Sequence, residues 1–351
     1  MEIFKSKKIG IFSDIHIGYG QDSPLWHDTV LDFGKWSAQK FESLGISEIA
    51  IPGDIFHSRD TISVKTLNIA KKFFDIFKEF NLVISTGNHD CHRKMSSEIH
   101  SLSMLSEWSN IEIVDQKPRV FRTSVGKTIS FTPWATEVKD MPITDIMFSH
   151  LDIQSFYMNG YKLCEKGFLS EDLFKKSKYI ISGHFHKRDH REYTDGTILY
   201  VGSPYQMNFG EVGDDRGIYI FDLEKETFEF VENNVSPKHK KIKVSDLISK
   251  KIGADILKTE VPNNLVRLII DAPITPDIQS ILLSKLQNLG PKDLKPDYCL
   301  PDTDVSISGE VELEGTDVGK ILDEYVEATD YTNKVELKEY LGELYKKVKK
   351  D

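Results

Sequence analysis

The stretch Glu48-Ile49-Ala50-Ile51-Pro52-Gly53-Asp54-Ile55-Phe56-His57 decides the fold. Its first five residues, apolar from Ile49 onward, read as a strand, and Gly53-Asp54 stops it. Upstream, residues 8–13 read as another buried strand ending in Asp14. Between the two, residues 24–44 carry Leu25, Val30, Leu31, Phe33, Trp36, Phe41 and Leu44 at helical spacing. Downstream the rhythm continues: a helix is predicted over 62–80, then a strand over 82–85 ending in Gly87-Asn88-His89-Asp90. Strand, helix, strand, helix, strand implies right-handed β-α-β units and a largely parallel sheet. The fold class is therefore α/β.

After residue 110 short strands crowd together, which predicts a second, more antiparallel sheet packed on the first. Residues 232–241 read as a linker, and 242–296 as a small α/β unit with a strand at Leu265–Ile270 and a helix at Ile278–Leu289. Pro291 to Gly315 is acidic and turn-rich, a second linker; helical spacing then returns from Val318 to Val348. The expected organisation is 1–231, 232–300 and 301–351.

Five short runs each follow a predicted strand: Asp14-Ile15-His16, Gly53-Asp54, Gly87-Asn88-His89-Asp90, Phe148-Ser149-His150 and Gly183-His184-Phe185-His186. In extended chain, residues i and i+2 point the same way, so Asp14 and His16 converge, as do His184 and His186. The carboxyl ends of parallel strands are where α/β folds bind ligands. Carboxylate, imidazole and amide oxygen gathered at one edge suit a pair of divalent ions such as Mn²⁺ or Fe²⁺. Each piece alone is commonly structural; the ordered conjunction is what points to chemistry. Cys91 beside the third run has no dedicated base and reads as an incidental thiol.

These runs, in this order, resemble the calcineurin-like metallophosphoesterases over roughly residues 1–230. The resemblance implies a two-sheet sandwich flanked by helices. It implies that Asp14, His16, Asp54 and His186 hold one metal, with Asp54 bridging to a second held by Asn88, His150 and His184. His89 would face the scissile phosphate, with Asp90 orienting it. Gly53-Asp54-Ile55-Phe56-His57, Gly202-Ser203-Pro204 and Arg216–Asp222 are similar to the SbcD branch of DNA-repair nucleases, in a compact layout like that of the phage-encoded members. That branch implies a Mn²⁺-dependent 3′–5′ double-strand exonuclease and single-strand endonuclease. It also implies a small capping domain, a coiled-coil ABC ATPase of the SbcC kind gripped by residues 318–348, and a homodimer through helices near 62–80 and 98–108. His57 would help place a duplex 3′ end. Two alternatives stay open: a phosphatase or cyclic-nucleotide phosphodiesterase on the same fold, and an inactive scaffold for the ATPase. The full ligand set speaks against the scaffold, and the cap and C-terminal helices against a stand-alone phosphatase.

The 351 residues contain no run of about 18 apolar residues, which argues against a membrane helix. Three scattered cysteines suggest a reducing compartment. With no leader-like start, the expected location is cytoplasmic, in the host cytoplasm if phage-encoded. The net charge of -10 speaks against nucleic acid only superficially. Residues 302–351 hold 14 acidic and 7 basic side chains, so most of that excess sits in the tail. Basic residues such as Arg59, Arg93, Lys94, Arg188 and Arg191 cluster near the motifs as a candidate DNA rim.

Overall fold

The computed structural model describes residues 3–93, 96–158 and 162–299, together with Val326, Lys334, Val335 and Lys338. Two compact units divide the chain, Met1–Leu300 and Pro301–Asp351.

In the first unit, a six-stranded sheet runs in the order Thr227–Glu232, Gly217–Asp222, Lys8–Ile11, Glu48–Pro52, Asn81–Ser85, Ile111–Val114. Its last four strands are mutually parallel, and the first two are antiparallel additions. The crossovers are the helices Pro24–Ser43 and Val64–Ile76. The first starts with proline, which lacks the amide a helix start cannot use. The second is capped by Ser63, whose side chain accepts from the Thr66 amide. Period-two alternation splits the strand Glu48–Pro52 between two cores. Ile49 and Ile51 pack against the helices with Phe33, Phe41 and Phe73, while Ala50 faces the other sheet.

That other sheet has seven strands: Ile3–Phe4, Arg119–Thr123, Thr128–Thr132, Thr144–His150, Ser177–Gly183, Gly196–Tyr200 and Asp189–Tyr193. It is less antiparallel than expected, with four parallel and two antiparallel pairings. The reason is connectivity. Thr144–His150 and Ser177–Gly183 are joined through a crossover that includes the helix Ser170–Phe174, and three of the strands after residue 110, Ile111–Val114, Gly217–Asp222 and Thr227–Glu232, instead join the first sheet. Phe131, Phe148, Ile181 and Leu199 fill the space between the sheets with Ile9, Ile11 and Val83.

Residues 239–298 build a separate parallel sheet, His239–Lys243, Leu265–Ile270 and Asp293–Tyr298, over its own apolar core. The helix Pro276–Gln287 covers it. Its two outer strands overlap the stretches 232–241 and 291–315 that read as linkers.

The helix expected near 98–108 is corrected: Ser96–His100 is a strand and Ser101–Leu105 a 3-10 turn. Phe73, Phe77, Leu102 and Leu105 are fully buried in the core, so they offer no surface to a second copy. A dimer contact in this region has to use outward residues such as Val64 and Ile99. Of the C-terminal segment 318–348, only Val326, Lys334, Val335 and Lys338 fall among the described residues, and all four are helical. Among the described residues no helix is long and apolar enough to cross a membrane.

Candidate metal centre

The strand ends named from sequence meet at one edge of the sandwich. Register explains the meeting. Pro52 pairs with Ser85 across the first sheet, so Gly53-Asp54 and Gly87-Asn88 emerge side by side. His150 pairs with Gly183 across the second, so His184 emerges next to it. The loops are then laced together: the amides of Asp14 and His16 donate to the carbonyls of Gly53 and Asp54 at 3.2 and 3.1 Å. The His184 amide donates to both Asp14 oxygens, at 3.0 and 3.2 Å, tying the two sheets across the site.

Close approach dictates Gly53, whose φ is +91° and whose missing Cβ would lie 2.5 Å from His150 Nδ1. Four of the ligand residues also sit in the left-handed region: Asp14 (φ 55°), His16 (51°), Asp54 (55°) and His184 (93°). Such backbone costs about 1–3 kcal/mol per residue and persists where the surroundings over-determine it. All four carry side chains aimed into the site.

Asp14, His16 and His186 form one group, and Asp54, His150 and His184 another, with ligand atoms in each within 4.8 Å of one another. A single oxygen links them: Asp54 Oδ2 lies 3.5 Å from His16 Nε2 and 3.4 Å from His150 Nε2. Asn88 Oδ1 completes the second group, 2.9 Å from His150 Nε2 and 2.8 Å from His184 Nδ1. All seven expected ligands are therefore together.

The donor set fits cations on chemical grounds. His150 Nδ1 donates to the Pro52 carbonyl at 2.8 Å, so Nε2 is the nitrogen that carries the lone pair whenever the ring is neutral. His184 Nε2 faces Asp152 Oδ1 at 2.8 Å, which leaves Nδ1 likewise. Both lone pairs point at Asn88 Oδ1, itself an acceptor. Acceptors crowded on acceptors call for positive charge between them. In the metal-free chain a proton on His150 supplies part of that charge. Burial opposes a charged His150, yet the adjacent Asp54 carboxylate lifts it to about 9. Burial works to raise Asp54, but His150, His16 and His89 hold it well below the usual carboxylate range. His16 is pushed well down by burial, reinforced by the neighbouring histidines.

His89 stands beside this set, its ring 4.7 Å from that of His16. Its amide donates to Asp54 Oδ1 at 2.8 Å, and its Nδ1 donates to the His57 carbonyl at 2.7 Å, so Nε2 is the free nitrogen. The expectation that Asp90 orients His89 is thereby corrected. The ring is held by the His57 backbone. Asp90 instead accepts four amides, from Asp54, Ile55, Phe56 and Gly87, at 2.9 to 3.1 Å. It is a buried clasp between two ligand loops. The His57 ring lies nearly parallel to that of His89, 5.6 Å away, and burial lowers its pKa. Beside His57 opens a cleft of about 820 Å³ between the sandwich and the small sheet, lined by Tyr19, Trp26, Phe209, His239 and Arg267. The Cys91 thiol is pushed up to about 12 by burial and the Asp90 charge, which makes it a poor nucleophile.

Two of the basic residues near the motifs are already engaged: Arg191 with Asp189 at 2.6 Å, and Arg188 with Phe230 and the Asp215 carbonyl. Lys94 lies outside the described residues. Asp152 and Glu211 escaped the sequence reading. Glu211 Oε1 lies 3.5 Å from His186 Nδ1. Asp152 was findable, since it follows His150 at the same i, i+2 spacing that paired the other ligands. Glu211 is 25 residues from His186 and carries no local signal. Trp134 is a third, its ring 5.8 and 5.3 Å from those of His150 and His184.

Two packed sheets whose strand ends present carboxylates, imidazoles and an amide as two adjoining cation sites define a metal-dependent phosphoesterase centre. The family model for calcineurin-like phosphoesterases matches residues 7–188, and the chain belongs to that family. Over 300 residues it is 26% identical to Exonuclease subunit 1 of Enterobacteria phage T4, a match covering 80% of this chain and 85% of that one. Over 328 residues it is 26% identical to the DNA double-strand break repair protein Mre11 of Methanocaldococcus jannaschii, covering 78% and 87%. An uncharacterized protein of Acanthamoeba polyphaga mimivirus is 24% identical over 246 residues, covering 64% of this chain and 18% of that protein.

Proposed function

We propose that this chain is a Mn²⁺-dependent DNA nuclease subunit, a 3′–5′ double-strand exonuclease and single-strand endonuclease. The observation that carries the reading is the single Asp54 oxygen shared by two complete ligand groups, with His89 Nε2 free beside them. Asp14, His16, Asp54 and His186 would hold one ion, and Asp54, Asn88, His150 and His184 the other. When bound, such a pair supplies an activated water and a clamp on the phosphate oxygens. Pro52 and Asp152 fix the tautomers of His150 and His184 in advance. His89, with Nδ1 committed to the His57 carbonyl, presents Nε2 to the phosphate and donates a hydrogen bond from it when protonated. His57, at the cleft mouth, places the duplex 3′ end.

The restriction to DNA is supported by the two relatives whose names describe an exonuclease subunit and a double-strand break repair protein. By the same likeness, residues 239–298 form the cap that guides DNA, an SbcC-like ATPase binds residues 318–348, and the protein works as a homodimer in the cytoplasm of its host, in DNA recombination, repair or replication.

The test is end-labelled duplex and circular single-stranded DNA with Mn²⁺, alongside p-nitrophenyl phosphate and a cyclic nucleotide, with His89→Gln as control. DNA cleavage that needs Mn²⁺ and is lost in His89→Gln is the expected result. Absence of cleavage with and without the ATPase, or turnover of the small esters alone, overturns the nuclease reading. His57→Ser should lose duplex exonuclease and keep single-strand cutting; equal loss of both refutes its role.

A further inference from the structure

The 3-10 turn Phe209–Glu211 faces two ways. Its last residue reaches the metal centre. Glu211 Oε1 lies 3.5 Å from His186 Nδ1 and accepts from Asn208 Nδ2 at 2.9 Å. Its other oxygen accepts from the Met207 amide at 2.9 Å and pairs with Arg216 at 3.2 Å. His186 turns its remaining nitrogen, Nε2, toward His16 Nε2, 3.0 Å away. The first residue of the turn is clamped in the small sheet. The His239 ring meets the Phe209 ring edge-on at 4.5 Å, and the Arg267 guanidinium lies over it at 4.4 Å. Arg267 is itself fixed by Asp293 at 2.9 Å. Next to the turn, Gln206 Oε1 accepts from the His239 amide at 2.7 Å.

We propose that Glu211 is a positioning residue for His186, and that Phe209 ties it to the small sheet, so that the placement of that sheet sets the geometry of a metal ligand. The proposal rests on the reading of Asp14, His16, Asp54 and His186 as a metal site.

Three observations support it. The carboxylate divides its work: one oxygen serves Arg216 and Met207, and the other faces His186 while it accepts from Asn208. Arg216 does not need Glu211 for satisfaction alone, because it also reaches Asp214 at 3.1 Å and Ser203 Oγ at 2.9 Å. Finally, the turn is short and pinned by internal hydrogen bonds, including one in which the Gly210 amide donates to Asn208 Oδ1 at 2.8 Å. A displacement of Phe209 therefore carries Glu211 with it instead of being absorbed, as packed interiors transmit strain.

The experiment is a Mn²⁺ titration of the full chain followed by electron paramagnetic resonance, without DNA, with metal-free melting curves as the folding control. Glu211→Gln keeps the shape and removes the charge; it should weaken Mn²⁺ binding about 10- to 100-fold. Phe209→Ala should weaken it about 3- to 10-fold, although the residue touches no ligand. The double variant should be no weaker than Glu211→Gln, because both changes act through one turn. Should Phe209→Ala fail to fold, Arg267→Met removes the guanidinium from the same ring and should weaken Mn²⁺ binding to the same degree. Glu211→Gln binding within about twofold of the unaltered protein, or effects that multiply in the double variant, overturns the proposal. An unaltered chain that binds no Mn²⁺ overturns the metal reading itself, and this inference with it; unaltered binding with an indifferent Glu211→Gln removes this inference alone.

Discussion

Replacing Asp90 by Asn probes the clasp that holds the ligand loops. Each oxygen of the buried carboxylate accepts two amides: Asp54 and Gly87 on one, Ile55 and Phe56 on the other. Asparagine keeps one oxygen and turns an NH₂ group toward the other pair, so two buried amides lose their acceptor and meet donors. A buried group left without a partner costs about 1–3 kcal/mol, which gives about 2–6 kcal/mol for two. An offset exists. Burial and the nearby Asp54 charge push Asp90 up to about 7, so neutralising it relieves repulsion. About 3 kcal/mol of net destabilisation is the expected outcome. It is measured by urea unfolding of the metal-free chain at pH 8, where the carboxylate is ionised. Because either amide pair draws on the loop that carries Asp54, Mn²⁺ binding should weaken in the same variant. A loss below about 1 kcal/mol with unchanged Mn²⁺ affinity would refute the clasp.

Three further changes test other parts of the molecule. Gly183→Ala puts a methyl on Ser13 Oγ and the Pro52 carbonyl and 2.8 Å from His150 Nδ1; stability should fall by about 1–3 kcal/mol in urea unfolding, and Mn²⁺ binding with it. Asp152→Asn removes the charge behind His184; isothermal titration should show Mn²⁺ affinity lowered about 10-fold or more, with little change in metal-free melting. Glu226, held down to about 2 by hydrogen bonds from Lys127, Lys178 and Tyr179, adds stability that is complete above about 4.5 and is lost as pH falls toward 2. After discounting for solvent screening, Glu226→Gln should cost about 1 kcal/mol at pH 7 and almost nothing near pH 2, and a pH-independent difference would contradict this.

The strands that bear ligands were legible because each is a short apolar run that stops at a motif, and buried parallel strands look like that. The ligand residues were legible for a related reason: i, i+2 spacing at a strand end is local. What failed to show was written against local signals. The strands His239–Lys243 and Asp293–Tyr298 lie at the two edges of their sheet, where lysines and Pro296 stand in for the usual apolar pattern. Edge strands discourage unwanted pairing in this way, and so resemble linkers. Around 98–108, Leu102, Leu105 and Trp108 keep a spacing of three, which suits a 3-10 turn and its continuation as well as an α-helix. The roles of Asp90 and Glu211 depend on partners brought close only by the fold. For Asp90 the neighbouring His89 suggested the wrong one.

The origin of the ligands has a mechanical consequence. Asp14, His16, Asp54 and Asn88 follow strands of one sheet, whereas His150, His184 and His186 belong to the other. The centre therefore straddles the seam of the sandwich, and each ligand group draws from both sides. Cations held there would rivet the two sheets together at one end. Chelation should then do more than silence the site. It should free that end of the seam to part, with faster amide exchange in the strand ends at Ile51 and Gly183 than in the far ends at Glu48 and Ser177.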